Sequence, residues 1–409
     1  MKILVVGSGG REHAVVWRLA KRPGVDLYAL PGNPGMARLA QCVPSPNLSP
    51  ASILSVARAL QVDLTVIGPE APLVAGVVDL FRAAGMLIVG PTAEAALLEG
   101  SKIYAKQFFS AHQIPTAAFE TANDPEEAFR LLDRFSFPVV IKADGLASGK
   151  GVIISRNRKE AEAAILSLGP TIVIEEFLEG KEISFIVLSD GQTILPLLPA
   201  RDHKRALDGD QGPNTGGMGA FCDSSLLTSG QSTEIMDRII RPTVEATAFT
   251  GFLYAGLMMT ASGPKLLEFN VRLGDPEAQA LLHHLENDLA EVLFAAANGS
   301  LAPTTLTWKP GASVSVVLAA AGYPGEVRSG DIISGIEDAE ITGATVFQAG
   351  TRVGWSGCVT NGGRVLSVTA SGANLRAAAN RAYSAIQHIH FSGMHYRRDI
   401  GCPAQEPVS

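Results

Sequence analysis

No run of about twenty apolar residues occurs in the 409-residue chain, so no segment reads as a membrane span. Cysteine is scarce: Cys42, Cys222, Cys358 and Cys402 are widely separated, with no CxxC pair. That excludes the usual zinc and redox motifs and leaves reduced thiols as the expectation. Basic charge is not in excess either. The 33 Lys and Arg against 40 Asp and Glu give a net charge of −7 without a basic run, which argues against a nucleic-acid partner. A small anionic ligand needs only a few well-placed cations, so a local basic pocket stays open. There is no internal repeat and no low-complexity tract. The opening Met1-Lys2-Ile3-Leu4-Val5-Val6-Gly7 is too short an apolar run for a signal peptide and is expected to be a first strand. A cytoplasmic monomer is the expectation.

What is present is core-forming material. An apolar fraction of 46% with 18% charged residues describes a globular chain with a substantial interior, long enough for roughly two to four domains. Over the first hundred residues, apolar runs at 3–6, 26–30, 64–67 and 87–89 end in glycine or proline and alternate with helical patterns, one carrying Val15, Val16, Leu19 and Ala20. That alternation predicts a parallel, doubly wound α/β sheet, whose ligands sit at the carboxyl ends of the strands. A second unit starts near Ser101, a good N-cap for a helix with Lys102 and Lys106. Asp124-Pro125-Glu126-Glu127 marks another helix start. Strands are expected at 139–142, 151–154, 172–175, 183–188 and 266–270. From about Thr305 the pattern predicts short strands and turns, closed by one amphipathic helix with Leu375, Ala379, Ala382, Ile386 and Ile389 on a single face. The tail after Gly401 is expected to be loose.

Two glycine-rich loops need separate treatment. Gly7-Ser8-Gly9-Gly10-Arg11-Glu12-His13 follows a strand and opens a helix, where backbone N–H groups favour an anion. A dinucleotide fingerprint would need glycine where Glu12 stands and an acid at the end of the second strand, which instead reads Leu30-Pro31-Gly32-Asn33. A nicotinamide or flavin oxidoreductase is therefore disfavoured, whereas Arg11 suits a phosphate monoester. The second loop, Ala143 to Lys150, has Asp144 where a Walker A motif needs its first glycine and Gly151 in place of Ser or Thr. It is not a P-loop. A glycine-rich hairpin carrying a lysine can still fold over nucleotide phosphates.

The sharpest chemistry lies in Leu266-Leu267-Glu268-Phe269-Asn270. Strand alternation places Glu268 and Asn270 on one face, with Leu267 and Phe269 expected in the core. Two hard oxygen donors suit Mg²⁺, with nucleotide phosphate and water completing an octahedron. Alone, such a pair is surface decoration as readily as a ligand set. Arg272, Asp275 and Glu277 on the same edge shift the balance, because charge packed beside an apolar strand implies a polyanionic ligand with its metal. The segment Glu175 to Glu182 reads as a hinge able to face a purine and ribose. Asp202-His203-Lys204-Arg205 and Gly212 to Gly219 form a long irregular segment, expected to be a substrate loop. His203 is expected to be a hydrogen-bonded loop residue, and His283 and His284 to be structural.

Together these segments resemble the ATP-grasp ligases and, among them, the glycinamide ribonucleotide synthetase family. The resemblance rests on the ordered set GSGGREHA, GPEAPLVAGVVD, LEGSK, IKADGLASGKGV, IEEFLEGKEISF, DHKR, GPNTGGMGA, GFLYAGLM, EFNVRLGDPE, AAAGYPG, TNGGRVLSVTA and RRDIG, spanning nearly the whole chain. It implies an N-terminal Rossmann-like domain over 1–101 that holds phosphoribosylamine. It implies an ATP-grasp domain over 102–304 with an α+β lid at about 119–176, and a β-rich C-terminal domain over 305–409. Carried over by motif, Lys102, Lys142, Glu175, Phe177 and Glu182 would contact ATP, with Gly149 and Lys150 over its phosphates. Glu268 and Asn270 would hold Mg²⁺ or Mn²⁺. Lys142, Arg272 and Asp275 would serve catalysis near glycine and the transferred phosphate. Gly9, Gly10, Arg11, Asn33, Glu70, Asn214, Thr215, Gly216 and Gly217 would bind substrate. Two departures stand out. The lid connection Ser167-Leu168-Gly169-Pro170 is short, and Met258 aligns where many ATP-grasp enzymes carry a further acid.

Overall fold

The computed structural model describes residues 1–146 and 151–402. Gly149 and Lys150, and the tail beyond Cys402, lie outside the described residues.

Strand Lys2–Gly7 sits at the centre of a five-stranded parallel sheet, flanked by Asp26–Pro31 and Gln41–Cys42 on one side and by Leu64–Ile67 and Ile88–Val89 on the other. Its apolar run is continuous because both faces are covered. Leu4 and Val6 pack with Ile53, Leu54, Val77 and Phe81, while Ile3 and Val5 pack with Val15, Val16 and Leu19. The run predicted at 87–89 is trimmed to two paired residues, and the one at 26–30 extends through Pro31.

The lid is a four-stranded antiparallel sheet in the order Phe119–Ala122, Ile172–Glu176, Val139–Ala143, Val152–Ser155. Helices Pro125–Leu131 and Arg158–Leu168 accompany it. Asp124 caps the first of these by accepting from the Glu127 N–H at 2.8 Å, and Glu127 reaches back to the Asn123 N–H at 2.9 Å. A small core of its own, including Leu132, Ile141, Ala161, Ile165 and Ile174, holds the lid together.

A nine-stranded antiparallel sheet spans the rest. Its path runs Gly263–Asn270, Thr250–Thr260, Lys181–Asp190, Ala200–Asp202, Gly219–Asp223, Ala312–Ala319, Arg364–Gly372, Thr345–Gln348, with Ile194–Pro196 pairing to one side. Two expectations are corrected here. The region after Thr305 has the short strands expected, Thr345–Gln348, Thr351–Gly354 and Gly357–Thr360, but also Ala312–Ala319 and Arg364–Gly372, which are long, largely buried, and continue the same sheet. Ser313, Ser315 and Thr369 disguised them. Their hydroxyls are buried yet bonded within the strand pair, Thr369 Oγ1 to Ser315 Oγ at 2.9 Å and Ser313 Oγ to the Ala370 carbonyl at 3.3 Å. The segment after Asp202 is also more regular than expected. It folds into a hairpin of Arg205–Leu207 and Gln211–Asn214. The last helix is Leu375–Ile386, and Ile389 lies beyond its end while remaining buried. Among the described residues no helix is long and apolar enough to cross a membrane.

Candidate active site

The strand carrying Glu268 is not a simple alternation. Gly256 pairs with Glu268 but Leu257 pairs with Leu266, so Leu267 is an extra, bulged residue. The bulge corrects the predicted core: Leu266 and Phe269 are fully buried and Leu267 is not. Glu268 and Asn270 remain on the half-buried side. The residue facing Glu268 across the sheet is Gly256, whereas Met258 pairs with Lys265, so neither supplies an acid there.

The base of the lid meets this strand through a chain of buried charges. Lys142 Nζ lies 2.9 Å from Glu175 Oε1 and donates to the Leu267 carbonyl at 3.3 Å. On its other side Glu175 pairs with Lys106 at 3.2 Å, and Lys106 donates to Thr116 Oγ1 at 2.7 Å. Thr116 in turn donates to the Leu266 carbonyl at 2.6 Å. Burial pulls Lys106 down to about 8 against the opposing effect of Glu175. Lys106 was legible in the sequence only as a helix residue, yet it completes this chain. At the start of the same helix, Ser101 accepts from the Tyr104 N–H, and Lys102 Nζ donates to the Gly145 carbonyl at 2.8 Å. Burial, with Lys142 adding to it, also lowers Lys102 despite Glu268. Phe177 lies partly exposed just beyond the lid strand Ile172–Glu176.

Arg272 and Asp275 follow the strand in a tightly paired loop. Arg272 bonds Glu99 at 2.7 Å and Glu70 at 3.3 Å, and reaches Asn270 Oδ1 at 3.4 Å. Glu99 also accepts from the Val271 N–H at 2.7 Å. Burial raises the Glu99 carboxyl despite Arg272; at Glu70 burial is again the largest influence, but Arg272, the residue's own backbone N–H and Arg11 together outweigh it and lower the carboxyl. Asp275 accepts from Gln279 at 2.8 Å and pairs with Arg364 at 3.2 Å; burial acts against its charge, but Arg364 and Arg11 hold it below the ordinary carboxylate value.

The N-terminal loop follows strand Lys2–Gly7 and opens helix Gly10–Leu19, as expected. Glu12 folds back into the space above the strand ends, accepting from the Gly9 N–H at 2.6 Å and pairing with Arg11 at 2.6 Å. A Cβ on Gly68 would lie 2.1 Å from Glu12 Oε1, and one on Gly7 2.5 Å from Glu12 Cγ, which is why both positions hold glycine. Arg11 is buried and also donates to the Leu273 carbonyl at 3.1 Å, so its guanidinium ties the first sheet to the Arg272 loop. Gly10 packs against Gln279. Asn33, expected at the substrate, spends its amide internally, donating to the Ser8 and Gln348 carbonyls at 2.8 Å each and accepting from the Met36 N–H at 3.0 Å. Arg11 and Asn33 are therefore engaged structurally, and Gly9 and Glu70 lie at the rim beside Glu12 and Arg272.

A third group surrounds Glu268. Lys204 pairs with Glu182 at 3.2 Å; burial opposes its charge, yet Asp202, Glu182, Tyr254 and Glu268 hold it well above the ordinary lysine value. Burial pushes the Asp202 carboxyl up to about 7, opposed by Lys204 and reinforced by Glu277, Glu182 and Glu268. Glu277 accepts from Ser184 Oγ at 2.9 Å, and Ser184 meets the Tyr254 hydroxyl at 3.0 Å. The sequence marked Glu277 as an acid on the Arg272 edge and Asp202 as part of the charged run leading into the substrate loop. Thr215 donates from both its N–H and Oγ1 to the Lys204 carbonyl and accepts from the Gly217 N–H; Asn214 pairs with Arg205 in the hairpin, and Gly216 donates to the Tyr323 hydroxyl. His203 is buried and lowered to about 4, by burial first and then by Arg397. Its Nδ1 has no hydrogen-bond partner among the described residues, so the expected bonded ring is not what forms. His283 is structural, stacked 5.3 Å from Trp17 and bonded to Ser371 Oγ at 2.7 Å.

Glu268 is the exception in this network. Burial would raise it, but Lys204, Lys142, Lys102 and Arg272 together lower it, so it is an anion. Among the described residues it makes no hydrogen bond or close ion pair, and Asn270 Oδ1 has only the long contact from Arg272. A carboxylate and an amide oxygen with spare valence are a hard donor set that fits a divalent cation sharing its remaining positions with phosphate and water. Among the described residues no three His, Cys, Asp or Glu side chains converge to enclose a cation by themselves.

Residues 1–99, 100–278 and 313–403 match the N domain, the ATP-grasp (A) domain and the C domain of phosphoribosylglycinamide synthetase. The phosphoribosylamine–glycine ligase of Vibrio cholerae is 47% identical over 420 residues, covering 98% of each chain. That of Pseudomonas aeruginosa is 48% identical, covering 98% of this chain and 97% of its own. The crystal structure of phosphoribosylamine–glycine ligase from Thermotoga maritima superposes with a TM-score of 0.86 at 35% identity, covering 98% of this chain and 100% of that one. Glu268 and its surrounding cations thus sit in a chain that belongs to the phosphoribosylglycinamide synthetase family of ATP-grasp ligases.

Proposed function

We propose that this protein joins glycine to phosphoribosylamine at the expense of ATP, forming glycinamide ribonucleotide, ADP and phosphate in purine synthesis. The observation that carries the reading is the Glu268 carboxylate, which makes no hydrogen bond or close ion pair among the described residues and is held ionised by Lys204, Lys142, Lys102 and Arg272, in a chain of this family. Glu268 and Asn270 hold Mg²⁺ or Mn²⁺, which when bound neutralises nucleotide phosphate charge. Lys102 and Lys142 face the phosphates, while Glu175 keeps Lys142 extended toward them. Phe177 and Glu182 face the purine and ribose, and the lid over 119–176 covers the nucleotide.

A glycine carboxylate is already ionised at neutral pH, so the first step needs no general base. Its oxygen attacks the γ-phosphorus and ADP departs, leaving glycyl phosphate. The amine of phosphoribosylamine then attacks the carbonyl carbon, the acyl C–O bond breaks, and phosphate leaves as the amine loses a proton. Such chemistry is mostly positioning and charge neutralisation, which Arg272, held between Glu70 and Glu99, is set to provide. The loop at 214–217, with Gly9, Gly10 and Glu70 at the first sheet, faces the two remaining substrates. Lid closure excludes water from the acyl phosphate. The test is ADP release in the presence of phosphoribosylamine, with and without glycine. Release that depends on glycine supports the reading; release that ignores glycine, or that requires bicarbonate in its place, overturns it.

A further inference from the structure

Residues 203–217, most of the 202–219 segment expected to face substrate, are anchored from the far end of the chain. Arg397, whose side chain is 1% exposed, donates from Nη1 to Asp210 Oδ1 at 2.6 Å and to the Arg205 carbonyl at 3.2 Å. Its other edge makes a two-point bond to Asp399, Nε to Oδ1 at 2.7 Å and Nη2 to Oδ2 at 2.6 Å. Asp399 Oδ2 also accepts from the Gly209 N–H at 2.9 Å, and the Arg398 N–H donates to Asp208 Oδ1 at 2.7 Å. His395 Nε2 donates to the Ala206 carbonyl at 2.7 Å. Every residue of the hairpin turn from Asp208 to Asp210 therefore has a bond to residues 397–399. The Tyr383 hydroxyl fixes that segment from behind, donating to the Arg397 carbonyl at 3.0 Å and accepting from the Ile400 N–H at 2.9 Å.

The other end of the same segment is held in the same way. Arg364 Nη1 donates to the carbonyls of Gly216 and Asp275 at 2.6 Å each, while its Nη2 pairs with Asp275 Oδ2. A Cβ on Gly217 would lie 2.6 Å from Pro276 Cδ, so the loop is pressed against the Asp275–Pro276 turn. A rigid, buried guanidinium fork bonded to two acids and a carbonyl is expensive to desolvate and specifies one geometry. The hairpin lies off the path of the nine-stranded sheet, whose strands hold only its two ends, through the His203–Gly219 and Met218–His203 backbone bonds.

We propose that residues 395–399 form a clasp that sets the position of the 203–217 substrate segment, with Arg397 its central positioning residue. The clasp rests on the reading of 214–217 as substrate-facing. It implies that the C-terminal unit tunes capture of phosphoribosylamine or glycine, with a smaller effect on the nucleotide, which this segment meets through the Lys204–Glu182 pair.

The test uses the full-length chain with Arg397→Met, and Asp399→Asn as a milder variant should the first not fold. Steady-state KM is measured for all three substrates, together with amide hydrogen exchange. Misplacement of a binding loop by about 1 Å can cost 10²-fold, so a rise of roughly tenfold or more in KM for one non-nucleotide substrate is expected. KM for ATP should stay within about twofold, and exchange should quicken at 205–217 but not in strand Thr250–Thr260. Unchanged KM values for glycine and phosphoribosylamine, or an equal change for ATP, would overturn the clasp. Thr215→Val separates the two readings. If Arg397→Met quickens exchange at 205–217 while neither variant raises a KM, the substrate assignment of the loop fails, and with it the clasp's role in capture. If Thr215→Val raises one and Arg397→Met none, the clasp fails.

Discussion

The glycine-rich loop after the first strand and the edge of strand Gly263–Asn270 both read as anion or metal sites, yet their polar groups end in opposite states. In the loop, Glu12 and Arg11 pair with each other, and these two and Asn33 also bond backbone groups. On the strand edge, Glu268 stays ionised and unpartnered among the described residues, inside a ring of cations. Glu268 sits on a half-buried strand edge, and an ionised carboxylate with spare valence beside several cations marks where a ligand belongs. The comparison separates residues that build the site from those that meet the ligand, a distinction motif membership does not make.

Removing the unpartnered group should have the largest effect. Glu268→Ala is expected to keep the fold but lower turnover by roughly 10²-fold or more, since it deletes charge placed for phosphoryl transfer. Near-normal turnover with an unchanged melting temperature would erase the contrast. Lys142→Met follows: about 10-fold to 10²-fold is expected in kcat/KM for ATP. It also leaves Glu175 with only Lys106, so some loss of thermal stability should accompany the kinetic change.

On the self-satisfied side the effects should fall on stability. Gly68→Ala forces a Cβ into Glu12 and should cost about 1–3 kcal/mol, read by denaturant unfolding. Asn33→Ala should lower stability by a similar or smaller amount through its lost hydrogen bonds. If instead it raised KM for phosphoribosylamine strongly with stability unchanged, Asn33 would belong to the ligand-facing class.

The smallest effect is pH-dependent. His13 is lowered to about 4 by burial, with the Gln348 N–H donating to its Nδ1. The unfolded chain binds that proton near pH 6.5 and the folded chain only near 4, so stability falls as pH drops through this window and the loss is complete below it. The slope is on the order of 1 kcal/mol per pH unit for this one group. His203, also lowered to about 4, adds in the same direction. A melting temperature that stayed flat between pH 6.5 and 4.5 would contradict the burial of both rings.

Much of this was legible from residues alone. The parallel sheet followed from uninterrupted runs such as Ile3 to Val6, because burial on both faces leaves no polar alternation to mislead. Glu268 and Asn270 were legible because strand spacing alone puts them on one side. The bulge was not: Leu266, Leu267 and Phe269 are all apolar, so no sequence pattern tells which leaves the core. The long C-terminal strands were hidden by hydroxyls that pair across the sheet, information held in the partner strand and not in the local pattern. Arg397 and Arg364 were invisible for the same reason, since their partners lie 187 and 148 residues away.

The central claim, a divalent ion seated on Glu268 and Asn270, is tested most directly by Mn²⁺ binding in the presence of ADP, followed by electron paramagnetic resonance. The account predicts a protein–Mn²⁺–ADP complex in the wild type that is weakened at least tenfold by Glu268→Gln while ADP binding without metal persists. Equal Mn²⁺ affinity in the two proteins would contradict it.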